Sequence, residues 1–340
     1  MPRSAQAPAL TSPNCDASEA ITLNGCHGRR DQDDHQPCLH LGRFLQNASR
    51  RISLGNRGPG GTGKTTLFLF ESIHIVLGRP LYGLEVRTPG TVVIVTAEDR
   101  KDILMARLLR IMEAMGLSEE EQRRVCAGML IWDVSGSTCR LTELDRQGNV
   151  VLTGLADSLV ERFRDDPPVL MGLDPVISFG AGERIVNDNE HSLILAGRRI
   201  VRGLRCCLRL IAHTGKENAR AMVLDQYASR GGSALAEGCR MVTVLQAWDN
   251  ADGEKLAPPI GFTLAADEQG MVLARAKLSY APPQPRIWIK RRGYSFEYLE
   301  GCSSNTEASM HRSFGEQYDV FGDHDGPLVG AGQQLPGTFE

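Results

Sequence analysis

Residues 58–66 are Gly58-Pro59-Gly60-Gly61-Thr62-Gly63-Lys64-Thr65-Thr66, the stretch that decides the fold. They contain the pattern G-x-x-x-x-G-K-[S/T], and an amphipathic helical pattern follows at once. Glycines allow successive backbone N–H groups to converge on phosphate oxygens, and the N-terminus of a following helix adds positive potential. The sequence therefore predicts a phosphate-binding loop that leads into a helix.

The candidate ligands of a nucleotide are the glycines and polar residues of this loop. Lys64 can reach the β- and γ-phosphates, and the Thr65 hydroxyl can ligate Mg²⁺, so ATP and Mg²⁺ are the expected cofactors. The alternative is a glycine-rich turn with a surface lysine. The expected contacts with the nucleotide are Gly58, Gly60, Gly61, Thr62, Gly63, Lys64, Thr65 and Thr66.

Short apolar runs alternate with helical patterns on both sides of this loop. The stretch 50–57, where a first strand is expected, is only weakly apolar. Strand–helix alternation indicates βαβ units and a mainly parallel sheet, hence an α/β fold with a P-loop NTPase core. The apolar runs cover 92–95, 129–132, 169–173 and 208–212, and the helical patterns cover 64–77, 102–115 and 188–204.

The pattern changes after residue 240. Apolar runs separated by turn signals predict antiparallel strands added at the C-terminal side of the sheet. One domain is therefore expected over 50–301, between irregular polar tails at 1–49 and 302–340. The C-terminal runs are 241–248, 260–265, 271–278 and 286–289.

Composition excludes some classes of protein. The net charge of −3 and the pI of about 6.3 give no global basic field, although a local basic stripe remains compatible with them. No apolar stretch approaches the roughly 20 residues that span a bilayer, and no signal peptide is evident. The nine cysteines have no disulfide rhythm, which favours a reduced, cytoplasmic setting.

A group of cysteines and histidines lies in the N-terminal tail. These residue types are zinc ligands, but the paired spacings of zinc sites are absent. A metal site and a coincidence in an irregular tail both stay open. The group consists of Cys26, His27, His35, Cys38 and His40.

Two carboxylates follow apolar runs. Asp174 ends the run at 169–173, where a P-loop ATPase needs an acid on the Mg²⁺ side; the alternative is a turn or cap aspartate. Glu98 follows the run at 92–95 and is the candidate to activate the attacking water, because ligands bind at the carboxyl ends of parallel strands. Asp99 is the competing acid, and we expect it to cap the next helix.

Five ordered motifs resemble one family. They are the loop at 58–66, Glu98, Asp174, the stretch 211–216 (IAHTGK) and the stretch 228–235 (ASRGGSAL). Together, over about 54–300, the chain resembles the RepA-type hexameric replicative helicases, RecA-like P-loop ATPases of plasmids and mobile elements. The resemblance implies ATP hydrolysis by a hexameric ring, DNA helicase activity in replication, single-stranded DNA as partner, and a primase or initiator as a further partner.

The resemblance also implies roles for single residues. Glu98 is the catalytic glutamate, and His213 senses the γ-phosphate and links it to the DNA-binding loop. Arg230 and Arg107 match arginines presented to the neighbouring subunit's nucleotide. Two of these residues have simpler alternatives: His213 as an ordinary strand-end histidine, and Arg107 as a solvated arginine on a helix face.

The segment after His213 is polar and carries Lys216 and Arg220. In the family the corresponding loop projects into the ring channel and follows DNA, so these two cations are the candidate DNA contacts. The alternative is an ordinary flexible surface loop.

Two further basic segments have open interpretations. Arginines at 198, 202, 205 and 209 form one stripe if the helix continues that far, either as a solvated face or as an interface. The cations at 290–292 lie beside Trp288 and Tyr294, and they fit nucleic-acid contact or protection of a strand edge equally well. A second reading of the whole chain also remains: a nucleotide-switched P-loop binding module without unwinding activity.

Overall fold

The computed structural model describes residues 52–58 (backbone only), 61–182, 186–228 and 231–300. The predicted tails at 1–49 and 302–340 lie outside these residues, and so does the N-terminal cysteine and histidine group. Gly60 of the loop and the candidate Arg230 also lie outside them.

The described residues contain the strand–helix–strand units that a parallel sheet requires. The helices are α1 Lys64–Leu77, α2 Lys101–Ala114, α3 Glu119–Gly128, α4 Leu155–Arg162, α5 Val186–Leu204, α6 Lys216–Arg220 and α7 Ala234–Gly238. The strands are β1 Ile52–Gly58, β2 Val92–Thr96, β3 Met129–Asp133, β4 Thr142–Leu144, β5 Val150–Leu152, β6 Leu170–Asp174, β7 Cys207–His213, β8 Met241–Trp248, β9 Gln269–Leu278, β10 Ile287–Arg292 and β11 Ser295–Glu300.

Nine strands form one sheet in the order β11-β10-β9-β8-β1-β7-β6-β2-β3, and β4 and β5 form a separate hairpin. Strands β3, β2, β6, β7, β1 and β8 are parallel to one another, while β9, β10 and β11 continue the sheet antiparallel. The predicted fold class, an α/β fold with a mainly parallel sheet and antiparallel strands at the C-terminal side, is confirmed. The parallel order brings the carboxyl ends of β1, β7, β6 and β2 to one edge.

Helix α1 is buried along almost its whole length, because the sheet covers one side and α2, α3 and the β10–β11 hairpin cover the others. Gly172 of β6 allows this close packing. A Cβ built on Gly172 would lie 2.7 Å from the Phe68 ring of α1, a distance shorter than real Cβ contacts show. The close approach holds the N-terminus of α1 against the carboxyl end of β6.

A buried polar group joins α1 to β7. Arg209 of β7 forms an ion pair with Glu71 of α1, and the Tyr82 hydroxyl donates to the same carboxylate at 2.8 Å. The Arg209 guanidinium also lies 5.3 Å from the centre of the Phe68 ring. Burial raises the pKa of Tyr82, so its hydroxyl remains a donor. The two elements are thereby cross-linked inside the core.

Several local predictions were wrong. Strand β8 is parallel to β1, not antiparallel, because the segment with α6 and α7 forms the crossover that a parallel neighbour requires. The run 260–265 is not a strand; its Phe262 packs instead on Trp248 and Trp288. The arginine stripe ends with the helix at Leu204, so Arg209 belongs to a strand.

The cations at 290–292 do not protect a sheet edge. Strand β10 pairs with β9 on one side and with β11 on the other, so it lies inside the sheet. The strand-edge interpretation of this segment is therefore wrong.

Two further features concern the described ranges. None of their helices has the length and apolarity to cross a membrane. Cys126 and Cys206 are free thiols.

Candidate nucleotide and magnesium site

The candidate site lies at the carboxyl edge of the parallel strands. Gly58, the last residue of β1, is opposite His213 of β7, and Asp174 of β6 is opposite Thr96 of β2. Backbone hydrogen bonding extends this register, since Ala97 N–H donates to the Asp174 carbonyl at 2.8 Å. Residues from four separate strands thus meet at one edge.

The phosphate loop ends at Gly63, which is the N-cap of α1. Gly63 has a φ of 85°, a left-handed conformation that side chains rarely adopt, and no side chain of the described residues caps the helix there. The first turn of α1 also contains no acidic residue. Its N–H groups and the positive end of its dipole are therefore available to an anion.

Thr65 and Asp174 form the candidate Mg²⁺ ligands. The Thr65 hydroxyl donates to Oδ2 of Asp174 at 2.6 Å, and Asp174 is only 5% exposed. Burial raises the pKa of Asp174 to about 6. A buried carboxylate beside a hydroxyl and facing a phosphate loop has the oxygen chemistry that Mg²⁺ prefers, so these residues fit the ion.

Lys64, His213 and Glu98 form a connected series. The Lys64 ammonium, 6% exposed, lies 3.3 Å from Nδ1 of His213. An ammonium can only donate, so Nδ1 accepts and the ring hydrogen belongs on Nε2. That Nε2 lies 3.8 Å from Oε2 of Glu98, whose side chain is 62% exposed at the mouth of the site. Burial lowers the pKa of Lys64, while Asp174 and Glu98 oppose the shift.

Asp174 should make the stability of the nucleotide-free protein depend on pH. Its pKa is 3.8 in the ordinary state and about 6 in the fold, so the folded chain holds the proton more tightly. This carboxyl therefore favours folding at low pH, and the benefit, on the order of 3 kcal/mol, is lost as the pH rises from about 4 through 6. The Asp174→Asn variant should lose this dependence of stability on pH. As the pH rises from about 4 through 6, the melting temperature of the variant should therefore increase relative to that of wild type. If the difference in melting temperature between variant and wild type were the same at pH 4 and at pH 7, the raised pKa of Asp174 would be contradicted.

Asp99 and Arg107 contact each other. Asp99 does not cap α2; its carboxylate accepts from Nη1 of Arg107 at 2.5 Å. The helix N-terminus is instead satisfied from a neighbouring strand, because Lys101 N–H donates to Oδ2 of Asp133 at 2.9 Å. Arg107 is therefore partly buried and paired within its own chain.

The candidate DNA residues Lys216 and Arg220 lie at the two ends of α6 and are exposed. Both interpretations of the segment after His213 placed a loop there, but residues 216–220 form this short helix. Gln246 of β8 supports the segment that follows, since its amide donates to the Val223 carbonyl at 3.1 Å.

The chain that follows the candidate Arg230 is anchored. The buried Glu190 of α5 accepts from the N–H of Gly232 at 2.9 Å and of Leu235 at 3.1 Å. The two glycines at 231 and 232 lie close against α5. A Cβ added to Gly231 would lie 2.5 Å from the Glu190 side chain, and a Cβ added to Gly232 would lie 2.0 Å from the Asn187 side chain.

The structure adds two residues that the motifs did not single out for this site. One is Asp133, which orients α2. The other is Arg291 of β10: a Cβ built on Gly63 would lie 2.8 Å from its Nη1, so the guanidinium lies against the phosphate loop. The only sequence signal was the basic run at 290–292, which carries no indication that it folds back onto residue 63.

Comparison with known proteins gives one family match. A family model described as an AAA domain matches residues 56–219, slightly less than half of the chain. The match includes the whole loop at 58–66 together with Glu98, Asp174 and His213. It ends before residue 230 and before the antiparallel strands. No curated protein is significantly similar in sequence.

Solved structures also align with this chain, among them the following two. The crystal structure of the RadB recombinase aligns with a TM-score of 0.44 and 16% identity, covering 74% of this chain and 91% of that one. The structure of a DnaB-like replicative helicase and its interactions with primase aligns with a TM-score of 0.46 and 10% identity, covering 71% of this chain. This chain spans 55% of the helicase chain.

Proposed function

We propose that this chain is a Mg²⁺-dependent P-loop ATPase that works on DNA as a ring, as a RepA-type replicative helicase of a plasmid or mobile element does. The observation that carries the ATPase part is the series Lys64–His213–Glu98 beside the Thr65–Asp174 pair. Phosphate, metal and water groups are thus provided within one chain. The AAA domain match over 56–219 supports it.

Each residue of the site has a defined task in hydrolysis. Lys64 neutralises charge on the β- and γ-phosphates, and Glu98 orients the attacking water and accepts its proton. His213 lies between them, so a change at the phosphate can reach the chain that follows β7. Thr65 and Asp174 would hold Mg²⁺, which when bound neutralises charge on the phosphate oxygens.

Action in a ring needs groups from a neighbouring subunit. Arg230 is the proposed cation for this task, because the chain just beyond it is fixed on α5 by Glu190. An arginine presented in trans would stabilise charge on the transferred phosphoryl group. Arg107 is a second candidate, and in that role it would have to exchange its contact with Asp99.

DNA contact is proposed for Lys216 and Arg220. Both are exposed and lie on the segment that leaves β7 directly after His213. Two cations in each subunit, repeated around a ring, would bind a single strand electrostatically although the monomer carries a net charge of −3. A primase or an initiator is the proposed protein partner.

The ring and DNA proposals are tested together by activity and size. ATPase activity per subunit should rise with protein concentration and again with a single-stranded oligonucleotide, and sizing with ATP should show an assembly. Lys216→Ala/Arg220→Ala should lose the DNA effect, whereas Arg123→Ala/Arg164→Ala, which removes two exposed cations elsewhere, should keep it. If the protein hydrolysed ATP while remaining monomeric, and if single-stranded DNA did not change that activity, both proposals would be overturned.

A second candidate function is a nucleotide-switched binding module without unwinding activity. The wide exposure of Glu98 favours it, because a hydrolytic site more commonly excludes water. A strand-displacement assay with the assembled protein separates the two functions: unwinding supports the helicase, and nucleotide-dependent binding of DNA or protein without unwinding supports the switch.

A further inference from the structure

Arg291 is held with its guanidinium against the end of the phosphate loop. Its Nε donates to the Gly293 carbonyl at 2.7 Å, and its guanidinium lies 5.9 Å from the centre of the Phe296 ring. Phe296 in turn packs on Phe70 of α1, with ring centres 4.8 Å apart. The β10–β11 hairpin and α1 therefore fix Arg291 relative to Gly63.

The neighbours of Arg291 on β10 are already engaged elsewhere. Successive side chains of a strand point to opposite faces, so Lys290 and Arg292 point away from Arg291. Arg292 pairs with Asp267 and Glu268 at 3.0 Å each, and Lys290 lies 5.3 Å from the centre of the Phe262 ring. Among the described residues, no carboxylate forms an ion pair with Arg291. Of the three, Arg292 alone has a carboxylate partner among the described residues, and Arg291 is the one whose guanidinium lies against the phosphate loop.

The surroundings of Arg291 are unfavourable for a cation. It lies at the N-terminal end of α1, which carries the positive end of the helix dipole. Burial lowers the pKa of Arg291, and the charge of the nearby Arg107 lowers it further, while Tyr294 opposes the shift. Such an arrangement raises the free energy of the nucleotide-free state and is relieved by an anion. The adjacent loop is built to bind one.

We propose that Arg291 is a nucleotide-binding residue of its own chain, which contacts the phosphates of the nucleotide held beside Gly63. This inference rests on the proposed function, since it assigns a further ligand to the same site. Arg291 contacts the loop from the side of the β10–β11 hairpin, whereas Glu98, His213 and Asp174 belong to the opposite group of strands. Its task is binding, and the hydrolytic step belongs to that other group.

The test is nucleotide affinity. Arg291→Met removes the charge and keeps an apolar side chain on Phe296. Its affinity for ADP and for inorganic pyrophosphate should fall about 10-fold or more, because a hydrogen bond to a charged group is lost. In turnover, KM for ATP should rise similarly while kcat at saturating ATP stays within about threefold. Arg292→Met is the matched control from the same strand and should bind both ligands as wild type does.

The outcomes are distinguishable. Wild type that binds neither ADP nor pyrophosphate overturns the proposed function and this inference together. Wild-type affinity in Arg291→Met overturns the inference alone, and so does a fall in kcat with unchanged KM. A melting temperature of nucleotide-free Arg291→Met at or above that of wild type shows that the fold is retained. Partial affinity in an Arg291→Lys variant supports a charge contact.

A mixture of subunits tests whether Arg291 acts on its own nucleotide. Lys64→Ala subunits retain Arg291, and Arg291→Met subunits retain the loop. If Arg291 served a neighbour's nucleotide, mixing the two at ATP concentrations below the wild-type KM would restore activity, which would contradict the inference. Activity no greater than the sum of the two variants supports it.

Discussion

Lys64→Ala is expected to abolish detectable ATP binding and to lower hydrolysis at least about 100-fold. Lys64 lies buried at the first turn of α1, within 3.3 Å of His213, and it is the cation of the loop that reaches the phosphates. Its removal eliminates both the attraction for the nucleotide and the contact that links the phosphates to His213. Isothermal titration with ATP or ADP and a phosphate-release assay measure the two effects.

This variant should not unfold the protein. Burial of the Lys64 ammonium is unfavourable, as its lowered pKa indicates, so the nucleotide-free variant should melt at or above the wild-type temperature. Lys255→Ala, which removes an exposed lysine paired with Asp252, is the control and should bind and hydrolyse normally. Wild-type affinity for ADP in Lys64→Ala would contradict the phosphate-loop assignment.

Glu98→Gln is expected to lower kcat by about 100- to 10,000-fold while leaving ATP affinity nearly unchanged. Glutamine keeps the size of the side chain and removes the base that accepts the proton of the attacking water. Because Lys64 provides the attraction for the phosphates and Glu98 contacts His213, binding should survive. Single-turnover hydrolysis together with ATP titration separates the two steps.

Two neighbouring acids serve as comparisons for Glu98. Asp102→Asn, in an exposed pair with Arg100, should leave turnover unchanged. Full activity in Glu98→Gln, combined with a large loss in Asp99→Asn, would show that Asp99 is the base instead. If wild type bound ATP without hydrolysing it, the nucleotide-switched binding module would be supported and the ATPase hypothesis would be contradicted.

The parts of the fold that were predictable depend on local patterns. The loop glycines, the helix ending at Gly78 and the β-branched run at 92–95 each specify their own conformation, and parallel strands then bring Glu98 and Asp174 to one edge. Local pattern does not specify pairing between distant strands. The direction of β8 depends on its partner β1, about 190 residues earlier, and this is why it was predicted wrongly.

The same limit applies to the site. Arg291 lies 291 − 63 = 228 residues beyond Gly63, and only the folding of the β10–β11 hairpin over α1 brings the two together. Asp133 likewise satisfies the N-terminus of α2 from another strand, where a local cap at Asp99 was the simpler expectation. Residues supplied by distant elements have no fixed spacing from the motif they serve.

The buried pair between Arg209 and Glu71 restricts how a nucleotide could signal outward. The pair joins the strand that carries His213 to the helix that carries Lys64. Because breaking a buried ion pair costs several kcal/mol, about 3 to 5, these two elements move together and do not slide past each other. Rearrangement that begins at the phosphates would have to be expressed beyond the end of that strand. Thr214 and Gly215 connect that strand to α6, so we expect such a rearrangement to change the position of α6.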